Sequence, residues 1–434
     1  MLETGDTFAG NTGTFTLTEF DSDDLFNING VGGFALRATD RSGAEPVDFI
    51  LGSTGGETPT VAAEFGTIDG VLVDVFQFAP DLSNAGEVVY KGQDDDANLD
   101  YAFRNDSRIA TEDDTIPDLS AATYRSLWRP QISSDGASVS VRVATNPPGS
   151  ALLTDVTPDA TTPVLSWIFN DAGNTSTLDV DGSSIPVGGA IDADYEVSTD
   201  GSRVISIPDL AGSPVADKVL ALSSISGSTV TTQVAEAGGL AIREGTVVPD
   251  SAGGDGVSEW DSFLRLGVAN DGSYVATGNL ETALEDTDLE GTDDDFVLKD
   301  GQIVLREGDV ITAGTVTGDT GGLEMNNDGD WVVLWNVNDG VEDKQALIVN
   351  GQSVLTVGDI VEYDGVETAL TAMHTGTDVL GLSDADDSGF FDVYFVGDTA
   401  GGTGLFSVTI PEPSTSLFFG LAGLGLLSRR RRRA

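Results

Sequence analysis

Short segments of alternating apolar and polar residues, separated by glycine-containing turns, fill most of the chain. Alternation with a period of two predicts β-strands. Asn-Gly or Asp-Gly between two such strands predicts a β-hairpin, because these residues tolerate the positive φ angles of a type I′ turn. One such pattern recurs seven times at intervals of 50 to 71 residues, with its glycines at Gly30, Gly86, Gly136, Gly201, Gly272, Gly329 and Gly389. A repeat of this period indicates a propeller or a related array.

A second hairpin is expected ahead of the recurring one. It is clearest at Asp300-Gly301 and Asn350-Gly351, weaker at 103–113, 178–188 and 234–245, and degenerate at 49–63. Two hairpins give four strands per unit, which is the content of one propeller blade. The alternative interpretation is an irregular array of β-sandwich sheets.

The two ends of the repeat region look like complementary halves of one hairpin. Residues 2–5 match the strand that follows the Asp300-Gly301 turn, whereas 404–410 match the strand that precedes the Asn350-Gly351 turn. Pairing them would close a ring without a free sheet edge. The prediction is an all-β, seven-bladed β-propeller-like domain over 1–410, made of seven four-stranded units and closed by the N- and C-terminal strands. A short hydrophobic helix follows it.

The last two dozen residues have a different pattern. Pro411 and Pro413 cannot lie inside a helix, so helix is predicted only after them. Residues 414–428 carry no charge, and a helix of that length spans roughly 22 Å, short of a ~30 Å hydrocarbon layer. Arginine side chains from 429–433 can reach the headgroups and make up the difference. They also favour the cytoplasmic side, which puts the body outside.

Pro411-Glu412-Pro413, a short hydrophobic segment and a terminal arginine cluster, in this order, resemble the PEP-CTERM sorting signal of exopolysaccharide-making Gram-negative bacteria. The hairpin repeats resemble those of uncharacterised PEP-CTERM proteins. The resemblance assigns 411–434 to sorting and implies recognition by an exosortase, a membrane-embedded cysteine transpeptidase-like enzyme, with removal of the helix and arginines near Pro-Glu-Pro. The residues it implies are Pro411, Glu412, Pro413, Ser414, Arg429, Arg430, Arg431, Arg432 and Arg433. An ordinary C-terminal membrane anchor is the alternative.

An exported protein needs an N-terminal leader with a basic and an apolar region. Residues 1–10 contain neither. Because an exosortase signal would have no use on a cytoplasmic protein, we expect that a signal peptide is missing from this chain.

Composition narrows the possible chemistry. The chain of 434 residues has no cysteine, which excludes disulfides, thiolate zinc sites and cysteine nucleophiles. Its net charge of −52 disfavours nucleic-acid binding and attracts cations. The charge is interpreted as the solvated surface of an exported protein, or alternatively as diffuse binding of divalent ions.

Candidate catalytic and metal sites are few. The single histidine, His374, is interpreted as a surface residue, so no catalytic residue, cofactor or enzymatic activity is predicted. Asp384, Asp386 and Ser388 imitate the start of a calcium loop, but Phe395 stands where its closing carboxylate should be. Trp331 and Trp335 are predicted to be core residues, whereas Trp260 is the candidate exposed platform.

These observations predict an exported protein, transiently anchored in the inner membrane and then located at the cell surface or outside it. Its role would be structural or interactive, with exopolysaccharide or matrix proteins as possible partners. The alternatives are a secreted carbohydrate-active hydrolase with a carboxylate pair in the channel, and a calcium-dependent adhesin. A plugged channel would favour the structural role, and clustered carboxyls of raised pKa the hydrolase.

Overall fold

The fold is built almost entirely from short antiparallel strands. The computed structural model describes residues 2–411 apart from 21–25, 44–45, 55–57, 117–121, 147–148, 156–164, 171–175, 212–216, 227–228, 282–294 and 377. These residues form 39 strands and one 3-10 turn, Asp250–Ala252.

The strands of the first half form three main sheets. The chain begins with β1 (Leu2–Glu3), β2 (Thr7–Ala9) and β3 (Thr14–Thr16). The first sheet contains β4 (Glu19–Phe20), β5 (Phe26–Ile28), β6 (Phe34–Asp40), β7 (Val47–Ser53) and β8 (Thr60–Glu64). A small hairpin, β9 (Gly66–Ile68) with β10 (Val71–Val73), leads to the second sheet: β11 (Val75–Leu82), β12 (Val88–Asp94), β13 (Leu99–Arg104) and β14 (Ser107–Thr111). The third contains β15 (Thr123–Ile132), β16 (Val139–Asn146), β17 (Gly149–Asp155) and β18 (Leu165–Asn170).

Four further sheets follow in the second half. The fourth contains β19 (Thr177–Val180), β20 (Ser183–Val197), β21 (Arg203–Leu210), β22 (Ala221–Ser226) and β23 (Thr229–Val234). The hairpin of β24 (Glu236–Ala237) and β25 (Leu240–Ala241) precedes the fifth: β26 (Glu259–Val268), β27 (Tyr274–Glu281), β28 (Asp295–Lys299) and β29 (Gln302–Arg306). The sixth has β30 (Val310–Ile311), β31 (Gly314–Met325), β32 (Trp331–Asn338), β33 (Asp343–Val349) and β34 (Gln352–Thr356). The seventh has β35 (Ile360–Tyr363), β36 (Val366–Met373), β37 (Leu380–Leu382), β38 (Phe390–Thr399) and β39 (Gly402–Pro411), with β1 at its edge.

The seven sheets are the blades of a closed ring. The innermost strand of each blade contacts the innermost strand of the next: β5, β11, β15, β20, β26, β31 and β37 follow one another, and β37 contacts β5 again. The seven-bladed propeller-like arrangement predicted from the repeats is therefore confirmed. The predicted hydrophobic helix falls on 414–428, outside the described residues.

The ring is closed by the two ends of the described chain. Strand β1 pairs antiparallel with β39, with Leu2 opposite Leu405 and Glu3 opposite Gly404. Leu2 and Leu405 are both buried in the largest apolar cluster, which joins the first and last blades. The prediction that residues 2–5 lie beside 404–410 is confirmed by the pairing of Leu2 and Glu3 with Leu405 and Gly404. Blade 7 thereby has an outer strand from the N-terminus.

Two types of turn join the strands, whereas the Asn-Gly and Asp-Gly dipeptides predicted a type I′ turn in every case. The outer hairpins at Asp300-Gly301 and Asn350-Gly351 have positive φ at both residues, as a type I′ turn requires. In the recurring hairpin at 269–273, the N–H of Gly272 donates to the carbonyl of Ala269 at 3.0 Å, the N–H of Ala269 donates to the carbonyl of Ser273 at 2.9 Å, and only the glycine has positive φ. Such a turn is a three-residue loop with a glycine bulge, so Asp-Gly alone did not specify the turn type.

Two weak copies of the second hairpin are also reassigned. The Asp181-Gly182 turn joins β19 to β20, and 234–245 contain the β24–β25 hairpin. The first of these hairpins includes the inner strand β20, and the second precedes the inner strand β26. The outer hairpins of these blades are β17–β18 and β22–β23 instead. The position of these hairpins was predicted wrongly because the same glycine-containing dipeptides favour a two-residue turn wherever the hairpin lies in a blade.

The tryptophans expected in the core are there, and Trp260 joins them. Trp331 and Trp335 are 4% and 1% exposed, and Trp260 is 1% exposed. The ring of Trp260 meets the ring of Phe296 edge-on at 5.2 Å between centroids. The prediction of an exposed aromatic platform was wrong, because the acidic neighbours of Trp260 lie on the opposite face of the same strand.

Candidate functional site

Each inner strand is joined to the next strand of its blade by a turn, and these seven turns surround one end of the ring. They comprise residues 29–32, 83–86, 133–136, 198–201, 269–272, 326–329 and 386–389. We call this end of the molecule the turn face. It forms because each inner strand ends there and a glycine in the left-handed region reverses the chain.

Hydrogen bonds at the turn face join each blade to the next around the ring. From blade 1 to blade 4, Asn29 Nδ2 donates to the Ser83 carbonyl (3.1 Å), Asn84 N to the Ser134 carbonyl (2.6 Å), and Ser134 N to the Thr199 carbonyl. From blade 4 to blade 6, Asp200 N donates to Asn270 Oδ1 (3.0 Å) and Lys299 Nζ to the Gly329 carbonyl (2.6 Å). From blade 6 through blade 7 back to blade 1, Asn326 Nδ2 donates to the Ser383 carbonyl (3.0 Å) and Asp384 N to the Gly30 carbonyl (3.1 Å). Asn327 Nδ2 also donates across the ring to Thr199 Oγ1. These bonds narrow the channel at the turn face.

A small polar cavity lies in the channel beneath these turns. Its volume is about 60 Å³, and all seven inner strands contribute to its lining. The titratable lining residues are Asp81, Glu196 and Glu324, beside the amide of Gln131. The cavity can hold a few water molecules.

One buried arginine connects three blades across this channel. Arg129, from β15, donates through Nη1 to Asp378 Oδ1 at 2.7 Å and through Nη2 to Glu196. The side chains of Arg129 and Asp378 are 9% and 4% exposed, and that of Glu196 is 18% exposed. Gln131 Nε2 donates to the second oxygen of Glu196 at 2.6 Å. The arginine thus joins blades 3, 4 and 7.

Two further carboxyls near the arginine have raised pKa values. Burial raises the pKa of Asp81 to about 6, although the N–H groups of Ile132 and Leu82 and the charge of Arg129 oppose the shift. Burial, and then the charge of Glu196, raises the pKa of Glu324 well above its usual value. Low solvation disfavours a negative charge in both cases. The cluster therefore binds protons in a pH range where surface carboxyls are ionised.

The residues singled out for calcium make hydrogen bonds at the turn face. Asp384 accepts from Asn327 through both oxygens, Oδ1 from the backbone N–H at 3.0 Å and Oδ2 from the side-chain amide at 2.9 Å. Burial raises the pKa of Asp384. Asp386 Oδ1 accepts from the N–H groups of Ser388 and Phe390 within its own turn. Asp384, Asp386 and Ser388 therefore stay weak candidates for calcium.

No group of three or more His, Asp or Glu side chains suited to a metal ion occurs within the part of the chain that the structure describes. His374 is partly exposed, and its Nε2 lies 3.3 Å from Asp398 Oδ1. Thr403 donates to the same carboxylate oxygen at 2.6 Å.

The sorting residues begin where the described chain ends. Pro411 is the last residue of β39, opposite Phe390. Glu412, Pro413, Ser414 and Arg429 to Arg433 lie outside the described residues. Among the residues described, no helix is long and apolar enough to cross a membrane.

Sequence reasoning missed the channel cluster. Asp81, Arg129, Glu196, Glu324 and Asp378 come from five different blades, and no short motif contains two of them. Composition held one usable signal. With only 20 Lys and Arg against 72 Asp and Glu, an arginine near the end of a predicted inner strand was a candidate for a buried ion pair.

The fold and its channel define a seven-bladed β-propeller-like protein. Its C-terminus carries a PEP-CTERM protein-sorting motif, matched at residues 409–433. The predicted sorting signal is thereby confirmed, and this motif implies an exported protein that is sorted by an exosortase. A search of curated proteins found no match to the chain.

The comparison with solved structures found several chains that are similar to this one over part or all of their length. The β-propeller domain of the Trilobed protease from Pyrococcus furiosus is 9% identical with a TM-score of 0.44, and the alignment covers 90% of this chain and 95% of that one. Prolyl oligopeptidase B from Galerina marginata is 10% identical with a TM-score of 0.40, over 89% and 49%. TolB from Acinetobacter baumannii is 11% identical with a TM-score of 0.33, over 71% and 58%.

Proposed function

We propose that this protein is delivered to the cell envelope or extracellular matrix by its C-terminal signal and acts there through its surface, in a structural or interaction role. The observation that carries the proposal is the position of the sorting motif, at 409–433, which begins at the last three residues of β39, the strand that pairs with β1. None of the described strands extends beyond Pro411, and the ring is closed by β1. Removal of the tail near Pro-Glu-Pro therefore leaves all seven blades in place.

The dimensions of the channel support a role without catalysis. Ligand pockets commonly have volumes of roughly 300–1,000 Å³, whereas this cavity measures about 60 Å³. The Arg129 ion pairs cross the channel beside it, and the hydrogen-bonded turns narrow one end. A sugar ring does not fit this cavity, which favours the outer surfaces of the blades for recognition of exopolysaccharide or matrix proteins.

One observation favours a second function, hydrolysis of carbohydrate. Asp81 and Glu324 are clustered carboxyls of raised pKa, as a general acid requires. If the channel is catalytic, the purified body releases reducing ends from matrix polysaccharide and Asp81→Asn abolishes the release. If both the wild-type body and the Asp81→Asn variant bind polysaccharide but release no reducing ends, the interaction role is supported.

Mass spectrometry of the C-terminus, on protein recovered from native cells, tests the sorting step. We expect a mature form that ends near 411–414 and lacks Arg429 to Arg433, found at the surface or in the medium. A variant with alanine at Pro411, Glu412 and Pro413 should keep its tail and stay with the membrane. Intact wild-type protein in the cytosol would contradict the proposal.

A further inference from the structure

The C-terminal segment leaves the propeller at one defined end. Strand β38 begins at Phe390, directly after the inner turn 386–389, and β39 runs antiparallel to it until Pro411 lies opposite Phe390. Pro411 is therefore at the turn face. The opposite end of the ring holds loops such as the one between β32 and β33, where Asn338 pairs with Asp343.

The distance from this exit to the hydrophobic run is short. Only Glu412 and Pro413 separate Pro411 from the uncharged residues 414–428. Two fully extended residues span at most about 7 Å. The eight residues of β32, which run from the turn face to the opposite end, span about 27 Å at 3.4 Å per residue. The body therefore cannot turn its other end to the bilayer without unpairing the last strand.

From this geometry we propose that the turn face lies against the outer surface of the inner membrane while the tail is in place, and that the opposite end points away. The inference rests on the membrane-held intermediate of the proposed function. It identifies the surface next to which a processing enzyme must work: the turns around Pro411, including the partly exposed Phe390.

The charge of the turn face indicates that only the tail holds this face against the membrane. Exposed aspartates project from five of the seven inner turns, namely Asp135, Asp200, Asp271, Asp328 and Asp386. Anionic lipid headgroups repel such a surface within about one Debye length, ~8 Å at physiological ionic strength. The contact is thus imposed by the tail and ends when the tail is removed.

The absence of cysteine allows a matched test. Val31, in the inner turn of blade 1, and Val341, in the loop between β32 and β33, are 57% and 89% exposed. Val31→Cys and Val341→Cys place one fluorophore on the turn face or on the opposite end of the full-length chain. Each variant is reconstituted into phosphatidylcholine nanodiscs in which a minority of lipids carries a nitroxide on the headgroup, and quenching of the fluorophore is measured.

We expect several-fold stronger quenching at position 31 than at 341, and loss of the difference when a long Gly-Ser segment is inserted between Pro411 and Glu412. Equal quenching, or stronger quenching at 341, in protein that co-elutes with the discs would overturn the orientation but leave the sorting proposal intact. Failure of the full-length chain to co-elute with the discs would remove the membrane-held form and both proposals with it.

Discussion

Two cationic side chains of this protein each contact two carboxylates, one inside the channel and the other at the exposed end of the ring. Inside the channel, Arg129 contacts Glu196 and Asp378. At the opposite end from the turn face, Lys344 contacts Asp339 at 2.9 Å and Glu342 at 3.3 Å. Arg129 is nearly inaccessible, whereas the side chain of Lys344 is 30% exposed.

The two groups show that burial, more than the number of charges, determines how strongly the loss of one partner of an ion pair lowers the stability of the protein. Removal of one partner from a buried pair leaves a charge without solvation or counterion. An exposed pair loses little, because water and salt replace the partner. The same contrast governs titration: burial raises the pKa of Asp81 near Arg129, whereas the hydrogen bond from Lys344 lowers the pKa of Asp339 to about 2.

The largest expected effect follows loss of the buried cation. Arg129→Met should lower the free energy of unfolding by about 3–5 kcal/mol, because the carboxylates of Glu196 and Asp378 remain buried without their partner. Urea denaturation at pH 7 measures this change. Adding Glu196→Gln and Asp378→Asn to the same variant should recover most of the loss. A single variant as stable as the wild type would show that the channel is far more hydrated than its burial indicates.

A smaller effect concerns pH. The folded-state pKa of Asp81, about 6, lies above its ordinary value, so its stabilising contribution is complete below about pH 4 and is lost as pH rises through 6. Asp81→Asn removes this loss. Relative to the wild type, the variant should gain up to about 3 kcal/mol between pH 4 and pH 7, at 1.36 kcal/mol per pKa unit.

The matched control for the pH experiment is Asp339→Asn. The pKa of Asp339 is lowered, so its contribution is present above pH 4 and is lost only as pH falls toward 2. Its stability profile should run parallel to that of the wild type between pH 4 and pH 7. Parallel profiles for both variants would mean that the pKa of Asp81 is not raised in the folded protein.

The smallest effect is expected at the exposed group. Lys344→Met should leave the urea midpoint nearly unchanged, and any difference seen at low salt should vanish at high salt, because screening replaces the ion pair. Denaturation at two ionic strengths measures it. A large loss that persists at high salt would place Lys344 in the same class as Arg129 and remove the contrast between the two groups.

Much of the fold could be predicted from local patterns. The glycine turns and the alternation around them predicted the strands, their recurrence predicted seven blades, and the half-hairpins at 2–5 and 404–410 predicted the closure. Errors arose where one pattern serves two structures. Asp181-Gly182 forms a hairpin with the inner strand β20 instead of an outer hairpin. Trp260 is buried although acidic residues flank it, because neighbours along a strand face opposite sides.

The sequence by itself determined the strand-and-turn repeat, the complementary ends and the sorting signal, because each is written in residues close together or at a regular interval. Only the tertiary structure decided which charges meet in the channel. Asp81, Arg129, Glu196, Glu324 and Asp378 come together because five blades converge on one axis. The exit of the tail at the turn face was decided in the same way, by the direction of β39 within the closed ring.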